Sequence, residues 1–580
     1  MADESFAFHR RDPIKSSVGN VAANRRRQNA VTVGKERRES LVRAKRLCRV
    51  GISGDGDGDV SLDNEMMIDE EQSILEAQTS SAVEGLKSAV AYQGKGAMQK
   101  RVSALCDLRR LLSKSEFPPV EAALKAGAIP ILVQCLSFGS QDEQLLEAAW
   151  CLTNIAAGKP EETEALLPAL PLLIAHLGEK SSLSVAEQCA WALGNVAGEG
   201  EKLRSVLLSQ GALLPLARMM LPNKGSTVRT SAWALSNLIK GPDPKAAAEL
   251  IRIDGVLDAI VRHLKKADDE LATEVAWVVV YLSALSNIAT SMLVKNDVLQ
   301  LLVDRLATSN SLQLLIPVLR SLGNLVAGDS HTIYAALVPG HEITDSVIKV
   351  LVKCLRSEHR VLKKEAAWVL SNIAAASVEH KRLINSSEAV PLLLRLLSTA
   401  PFDIRKEVAY VLGNLCVAPT EGDGKPNLIL EHLVSLVSGG CLPGFIDLVR
   451  SADTEAARVG LQFMELEVAY VLGNLCVAPT EGDGKPNLIL EHLVSLVSGG
   501  CLPGFIDLVR SADTEAARVG LQFMELVLRG MPNGEGPKLV EREDGIDAME
   551  RFQFHENEDL RNMANGLVDK YFGEAYGLDE

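Results

Sequence analysis

The chain has 580 residues, of which 47% are hydrophobic and only 4% aromatic, and its formal net charge is −15. This length exceeds what one compact core usually organises, so several domains or an extended repeat array are expected. So few aromatic residues favour Ala, Leu and Val packing in helices over a β-rich fold. No Cys-x-x-Cys motif, secretory segment or membrane-spanning stretch is found, which predicts a reduced, soluble, intracellular protein.

Charge is divided unevenly along the chain. Residues 1–50 hold 13 Lys or Arg and 5 Asp or Glu, a net charge of +8, whereas the remaining 530 residues carry −23. The basic residues form four clusters: Arg10/Arg11, Arg25/Arg26/Arg27, Lys35/Arg37/Arg38 and Arg43/Lys45/Arg46/Arg49. The sequence therefore predicts a mostly disordered basic arm at 1–50 and an acidic body that attracts basic ligands, the arm being one candidate.

An acidic linker is predicted at 51–75, beginning GISGDGDGDVSLDNEMMIDEEQ. Its Gly, Asp and Glu content is typical of a flexible segment that does not pack. Asp55, Asp57 and Asp59 have the spacing of an EF-hand loop, but the Gly and Glu that such a loop needs at its sixth and twelfth positions are absent. Calcium binding is therefore disfavoured here.

Helical repeats of roughly 42 residues are predicted from 76 to 575. A short apolar helix recurs at 127–136, 167–176, 211–220, 255–264, 297–306, 347–355, 388–397 and 440–449. Each is followed by a second helix, and the residues Trp150, Trp191, Trp233 and Trp277 of these second helices are 41, 42 and 44 residues apart. Such a period is typical of an armadillo or HEAT array, in which each unit buries its apolar face only against its neighbours.

Most of the second helices share an aromatic residue and an Asn four residues apart. They read EAAWCLTNIAAG, QCAWALGNVAGEG, TSAWALSNLIKG, EVAWVVVYLSAL, PVLRSLGNLVAG, EAAWVLSNIAAA and EVAYVLGNLCVA. All five tryptophans of the chain occupy the same place in this pattern. Random placement would not produce that distribution.

Helix geometry distinguishes a core role for these tryptophans from a ligand-binding role. At about 100° per residue, Asn154 lies about 40° and Glu147 about 60° from Trp150 around the helix. Leu152 and Ile155 lie on the opposite side, between about 140° and 200°. Although large aromatic rings are usually core residues, this geometry favours a surface lined by Trp and Asn.

Such a surface suits an extended, Lys/Arg-rich peptide. Neighbouring indoles leave slots for the methylene stem of Lys or Arg and add a cation–π contribution. An Asn amide has a donor and an acceptor, so it can pair with a peptide backbone regardless of sequence. Negative charge is added by glutamates three residues before the aromatic position: Glu147, Glu274, Glu365 and Glu407.

At these positions the sequence resembles importin-α, the armadillo adaptor of nuclear import, over nearly the whole chain. The resemblance includes the irregular repeats, with Tyr281 in the Asn position and Arg320 in the Trp position. In that family such repeats separate a major cargo site from a minor one. The resemblance implies an all-α, right-handed superhelical solenoid of about ten armadillo repeats, which binds nuclear localisation signals and links them to importin-β.

The resemblance assigns two cargo sites. The major site would comprise Trp150, Asn154, Gly158, Trp191, Asn195, Glu199, Trp233 and Asn237, with Glu199 where the family usually has Asp. The minor site would comprise Asn324, Glu365, Trp368, Asn372, Glu407, Tyr410 and Asn414. Tyr410 replaces the family's Trp, which predicts a shallower slot and a weaker minor site.

The arm resembles the importin-β-binding domain of that family. The matching residues are Arg25, Arg26, Arg27, Arg43, Lys45, Arg46 and Arg49. The resemblance implies that the arm becomes helical on importin-β and, when released, occupies the groove as a tethered autoinhibitor. Segment 545–573 is similar to the family's last repeat, where the export receptor docks, with a short tail left at 576–580. Shuttling between cytoplasm and nucleus is implied, without membrane or direct nucleic-acid binding; the acidic body also disfavours an arm that contacts nucleic acid.

Residues 407–466 recur without a change as 467–526. Armadillo repeats normally diverge, so this identity indicates a recent duplication or an error in the gene model, with error favoured. The copy is out of phase with the 42-residue period, and its junction at 454–477 joins two second helices without a turn. Tyr470 and Asn474 are therefore predicted to form a displaced or non-functional site.

Two other function classes are weighed against the adaptor. A β-catenin-like armadillo scaffold would also use a helical groove, but such grooves usually present Lys and Arg to acidic ligands. An enzyme is disfavoured because no Gly-rich phosphate loop, metal-binding spacing or nucleophile motif is found, and no cofactor is expected.

Overall fold

The computed structural model describes residues 62–113, 118–178, 180–222, 225–241, 243–327, 337–418, 427–451, 453, 455–464, 493–494, 496–498 and 500–573. The basic arm, with all its predicted importin-β-binding residues, and the duplicated pair Tyr470 and Asn474 lie outside these residues. Within them the chain is helical apart from turns and one pair of two-residue strands, which confirms the all-α prediction. The described residues belong to two compact units, 62–327 and 337–573.

The first unit contains seventeen described helices. They are α1 (Leu62–Ala91), α2 (Ala97–Leu111), α3 (Val120–Lys125), α4 (Ala128–Cys135), α5 (Asp142–Ile155), α6 (Pro160–Glu164), α7 (Leu170–Ala175), α8 (Leu183–Glu199), α9 (Glu201–Ser209), α10 (Leu213–Met220), α11 (Ser226–Ile239), α12 (Lys245–Leu250), α13 (Val256–Lys265), α14 (Asp269–Leu285), α15 (Asn287–Lys295), α16 (Val298–Thr308) and α17 (Leu312–Leu325). A 3₁₀ turn at Leu167–Ala169 leads into α7.

Six of these helices form a continuous layer, which we call the long-helix layer: α2, α5, α8, α11, α14 and α17, each packed on the next. The shorter helices α4, α7, α10, α13 and α16 each pack on the long helix that follows them. The core lies between these two sets, and Leu152 and Ile155 are fully buried there, as the helical geometry predicts. Tight turns before α4 and α13 place Gly127 and Gly255 at φ +80°, a conformation that a side chain would strain.

Polar side chains join neighbouring repeats at the ends of the shorter helices. Terminal carbonyls of a helix have no partner within it, and here a side chain from the next repeat donates to them. The pairs are His176 Nε2 with the Leu136 carbonyl (2.7 Å), His263 Nε2 with the Met220 carbonyl (3.0 Å) and Arg305 Nε with the Leu264 carbonyl (2.8 Å). These bonds fix the spacing of repeats behind the long-helix layer.

The second unit contains α18 (Glu342–Arg356), α19 (Arg360–Ala374), α20 (Val378–Asn385), α21 (Ala389–Thr399), α22 (Phe402–Leu415), α23 (Leu430–Ser438), α24 (Leu442–Val449), α25 (Leu502–Val509), α26 (Thr514–Gly530), α27 (Glu535–Arg542), α28 (Gly545–Glu550) and α29 (Glu558–Phe572). Residues 455–464 are also helical, and a 3₁₀ turn lies at Pro532–Gly534. Strands β1 (Val417–Ala418) and β2 (Asn427–Leu428) pair antiparallel, with Val417 opposite Leu428. No single helix of the described part is long and apolar enough to cross a bilayer, although the bent pair 431–438 and 442–449 meets that criterion jointly.

The first helix corrects the predicted flexible linker at 51–75. Helix α1 begins at Leu62, so the linker prediction is wrong for its last fourteen residues. No Gly or Pro occurs between Leu62 and Glu84, so the helix contains no helix breaker before Gly85. Its later turns bury Val83 and Leu86, where α1 packs on α2, α3 and α4.

The two identical copies form the same helix pair in their described parts. In the first copy, Phe445 of α24 stacks on Phe463 with ring centroids 3.8 Å apart. In the second copy, Phe505 of α25 stacks on Phe523 of α26 at 3.6 Å. All four rings are fully buried. Each copy therefore builds its own small core.

The copies also stack on each other in the manner of successive repeats. A Cβ added to Gly444 of α24 would lie 2.6 Å from the Leu397 side chain, and one added to Gly504 would lie 2.6 Å from Ile446. A Cβ added to Gly545 of the next helix, α28, would lie 2.5 Å from Val540 and 3.3 Å from Ile506. Since each copy presents a Gly to the preceding helix and an Ile to the following one, α25 continues the stack. Helix α25 follows α24 by 60 residues instead of about 42, and most of the junction predicted at 454–477 lies outside the described residues.

Removing one copy should leave a folded chain. Because the copies are identical, deleting 407–466 or 467–526 gives the same 520-residue sequence. In that chain Ile446 can pack on Gly545 as Ile506 does now. The shorter chain should therefore keep a helical circular dichroism spectrum, and its peptide affinity should stay within about twofold of the full chain. Circular dichroism and fluorescence anisotropy with a Lys/Arg-rich peptide measure both; loss of peptide binding would show that the second copy contributes to the groove.

Protonation of His263 should destabilise the first unit. Burial, with Lys266 and Arg262 adding to it, lowers the pKa of His263 despite its bond to Met220. Among the described residues its buried Nδ1 has no hydrogen-bond partner. The unfolded chain, with a His pKa of about 6.5, therefore binds this proton more tightly, and stability falls as pH drops from about 6.5 towards the folded pKa.

The melting temperature of His263→Gln should consequently vary less between pH 7.5 and 5.5 than that of the parent chain. The exposed His359, replaced by Gln, is the matched control and should leave the pH dependence unchanged. Equal pH dependence in all three chains would refute the role of His263.

Candidate peptide-binding surface

Asparagine side chains lock each long helix to the one before it. In each case the amide nitrogen donates to the backbone carbonyl of the residue that precedes the Asn position in the previous long helix. The pairs are Asn195 with Thr153 (3.2 Å), Asn237 with Gly194 (3.1 Å), Asn324 with Val280 (3.0 Å) and, in the second unit, Asn414 with Ser371 (3.1 Å). We call this series the asparagine ladder; all four asparagines are at least nine-tenths buried.

Asn154, one repeat before the ladder, makes a different hydrogen bond. Asn154 donates to the Ser113 hydroxyl (2.8 Å) instead of a carbonyl, and this hydroxyl donates to the Arg109 carbonyl (2.7 Å). Helix α2 ends at Leu111, and the residue that corresponds to Thr153 by the 41-residue spacing is Leu112, which lies outside the helix. The Ser113 hydroxyl accepts the hydrogen bond of Asn154 in place of a helix carbonyl.

Every ladder Asn is preceded by a small residue, and the structure shows why at one position. The indole of Trp233 lies directly against Gly194, so that a Cβ at 194 would overlap the ring. Trp233 and Trp277 are each 95% buried, whereas Trp150, Trp191 and Trp368 are half-buried. The Trp233 indole thus lies between α8 and α11, and the five indoles differ in how far they are exposed.

The slot beside Trp150 contains a residue that the sequence analysis did not predict. The guanidinium of Arg109 lies over the Trp150 ring, 4.3 Å from its centroid, and Arg109 Nε donates to Glu147 Oε2 at 2.5 Å. Burial, followed by the charge of Glu147, raises the pKa of the neighbouring Cys106 thiol, which keeps it neutral. Arg109 could have been found from its spacing, since it stands 41 residues before Trp150.

Trp277 has neighbours on both sides in the first unit. Tyr281 of the same helix stacks on it with centroids 6.2 Å apart, and Arg320 of α17 lies 5.8 Å from its ring centroid. Tyr281 is almost fully buried. The irregular residues Tyr281 and Arg320 therefore lie beside Trp277 and interrupt the Trp and Asn pattern there.

Two further polar groups lie on the ladder. Gln188 Nε2 donates to the Thr153 hydroxyl (2.7 Å), and buried Lys240 reaches both the Asn237 Oδ1 and the Gly198 carbonyl at 3.4 Å. Lys240 is three residues beyond Asn237 and was not predicted from the sequence. Glu199 is the last residue of α8, and Gly158 lies in the turn after α5.

The second unit brings most of the predicted minor-site residues onto two packed helices, α19 and α22. Glu365, Trp368 and Asn372 lie on α19, and Glu407, Tyr410 and Asn414 lie on α22. Asn324, by contrast, belongs to the first unit.

Tyr410 is engaged by a charged pair that the sequence analysis also missed. Its hydroxyl donates to Glu455 Oε1 (2.7 Å), and Lys406 Nζ lies 2.8 Å from Glu455 Oε2. Only 6% of Tyr410 is exposed. The Tyr410 position is therefore a closed hydrogen-bonded cluster, in addition to being smaller than a Trp slot.

Sequence and structure comparisons place the chain among known proteins. The Armadillo/beta-catenin-like repeat matches residues 117–157, 341–375 and 377–417, and a HEAT-like repeat matches 142–196. Importin subunit alpha-9 of Arabidopsis thaliana is 70% identical over 580 residues, covering 100% of both chains. Importin subunit alpha-2 of Oryza sativa subsp. japonica is 60% identical over 572 residues, covering 99% of this chain and 97% of that one. The chain belongs to the importin-α family.

Family membership confirms the predicted resemblance and the predicted class of function, an adaptor for nuclear localisation signals. This family contains transport adaptors rather than enzymes. The crystal structure of an engineered protein, 23% identical, matches with a TM-score of 0.64 over 77% of this chain and 99% of that chain. At that identity it shows a shared fold alone.

Replacing Gly194 by Ala should displace the Trp233 ring. The added methyl group would overlap the indole, so we expect a loss of about 1–3 kcal/mol in stability and weaker binding of a Lys/Arg-rich peptide. Gly413→Ala is the matched control, because it also precedes a ladder Asn but has open space at its Cβ. That control should gain about 0.5–1 kcal/mol through helix propensity. Thermal unfolding and anisotropy titration compare the two; equal behaviour would mean that Trp233 adapts freely.

Proposed function

We propose that the long-helix layer of the first unit binds the extended, Lys/Arg-rich segment of nuclear localisation signals. The observation that carries this proposal is the asparagine ladder alternating with indoles on the same helices. The predicted major site spans three consecutive packed helices, α5, α8 and α11. A peptide lying across these helices would meet an indole and an amide at each step.

The chemistry of one step follows from Asn195 and its neighbours. The ladder bond to Thr153 uses one of the two amide hydrogens of Asn195. The second hydrogen and the amide oxygen can pair with a peptide carbonyl and N–H. Trp191 then flanks the stem of a cargo Lys or Arg, and Glu199 at the end of α8 supplies negative charge.

The predicted minor site is proposed to be the weaker one. Trp368 keeps the half-buried character of Trp150 and Trp191, and Asn414 makes the regular ladder bond. The cluster of Tyr410, Glu455 and Lys406, however, satisfies its own charges and presents no open slot. A basic peptide residue gains little there unless it displaces Lys406.

The remaining assignments extend the family role to this chain. Importin-β and cargo with basic localisation signals are its general partners as a family member. We further propose that the arm at 1–50 competes with cargo, that the export receptor contacts segment 545–573, and that the protein shuttles between cytoplasm and nucleus. The net charges of the arm and the rest of the chain, +8 and −23, support the competition.

Titration of a Lys/Arg-rich localisation peptide tests the proposal. Replacing Trp191 and Asn195 by Ala should weaken binding by about thirtyfold or more, since a central Trp at an interface is worth about 2 kcal/mol or more. Replacing Trp368 and Asn372 should cost less. Phe554→Ala, at an 89% exposed position away from the ladder, is the control and should change nothing. Unchanged affinity in the Trp191/Asn195 variant would place the site elsewhere.

Removal of the arm is designed from the start of α1. A chain lacking residues 1–61 keeps the whole of that helix and should bind the peptide more tightly than the full chain. Equal, negligible binding by both forms would refute the adaptor function.

A further inference from the structure

Helix α2 is the long helix of a first repeat that lacks the ligand residues. Arg109 and Ser113 each precede Trp150 and Asn154 by 41 residues, so they stand in the Trp and Asn positions of that repeat. Cys106 stands in the position of Glu147 by the same spacing. The layer thus begins with an Arg where the next repeats carry an indole.

Arg109 makes the two contacts that a cargo cation would make in the first slot. Its guanidinium lies over the Trp150 ring at 4.3 Å and its Nε donates to Glu147 at 2.5 Å. The Arg109 and Glu147 side chains are 21% and 13% exposed, which shields the pair from solvent. The Arg109 carbonyl accepts the hydrogen bond of Ser113, which in turn accepts from Asn154. These bonds tie the end of α2 to α5, and the Arg109 side chain is held by Trp150 and Glu147.

We infer that Arg109 is an internal ligand of the Trp150 slot that ends the cargo site and sets its register. This inference rests on the proposed function. Basic cargo residues are read beside Trp191 and further along the layer, and the cargo residue that reaches Trp150 meets a positive charge. A neutral or acidic residue is preferred there, because a lysine must displace Arg109 from both Trp150 and Glu147.

The test uses the full chain and a fluorescently labelled peptide of five lysines flanked by Gly and Ser. A set of peptides in which each lysine in turn is changed to Ala or Glu gives the contribution of each position by anisotropy. For the parent chain we expect one terminal position at which Lys→Ala costs almost nothing and Lys→Glu is tolerated. In Arg109→Ala, the five-lysine peptide should bind about three- to tenfold tighter, and that same position should become sensitive to both changes.

Arg110→Ala is the matched control. Arg110 is on the same helix, carries the same charge and is 67% exposed beside Asp107, so its loss should change affinity less than about twofold and leave the position profile unchanged. Arg109→Lys keeps a cation at the slot and should retain the parent profile. Arg109→Met keeps most of the stem without the charge, and it replaces Arg109→Ala if circular dichroism shows that the Ala variant does not fold.

Four outcomes would overturn the inference. Arg109→Ala and Arg110→Ala could change affinity equally, which would indicate only a long-range charge effect. Arg109→Ala could weaken all peptides, which would make Arg109 a support of the site rather than a competitor. The position profile could also stay unchanged while the parent chain binds in a Trp191-dependent way, which refutes the inference but leaves the proposed function intact. Failure of the parent chain to bind any lysine peptide would instead refute both.

Discussion

The hydrogen bond from each ladder Asn to a carbonyl of the preceding long helix fixes how far each helix is shifted along its neighbour. A net hydrogen bond contributes about 1 kcal/mol, but leaving a buried amide and carbonyl unpaired costs more, so a slipped helix is disfavoured at every rung. In the first unit the rungs at Asn195, Asn237 and Asn324 use the same geometry although the core residues differ. The positions of the Trp191 and Trp233 indoles follow from this register, because each Trp stands four residues before the ladder Asn of its own helix.

The ladder also couples stability to binding. An Asn that joins two helices and offers its remaining hydrogen and oxygen to a peptide cannot be replaced without affecting both functions. The small residue before the Asn has a similar double role, since Gly194 supplies the carbonyl for Asn237 and the space for the Trp233 ring. Binding variants in this layer therefore have to be compared with variants such as Gly413→Ala, which share the position but lack the ring contact.

The sequence pattern was sufficient for features that repeat, and insufficient for those that arise between unlike neighbours. Leu152 and Ile155 in the core and Trp150 on the opposite face follow from helix periodicity. The start of α1 at Leu62 was not predicted, because the acidic composition of 51–75 indicates a flexible linker although its second half contains no helix breaker. Arg109 and Glu455 were missed because each lies on a helix that lacks the aromatic and Asn pattern and meets its aromatic partner on another helix. The stacking of the copies depends on Gly504 fitting Ile446, a contact between residues that the identical sequences do not single out.

The second copy should affect only the repeats next to it, because each repeat of this fold packs on its nearest neighbours. In a repeat array each unit contacts only adjacent units, so a change acts mainly on the repeats beside it. Tyr410 is held by Lys406, which precedes the duplicated segment, and by Glu455, which lies in the first copy. The partners that close this slot are therefore present whether the chain carries one copy or two. The weakness proposed for the minor site is then a property of Tyr410 and Glu455 and not a consequence of the duplication, whose direct effects begin where the first copy ends.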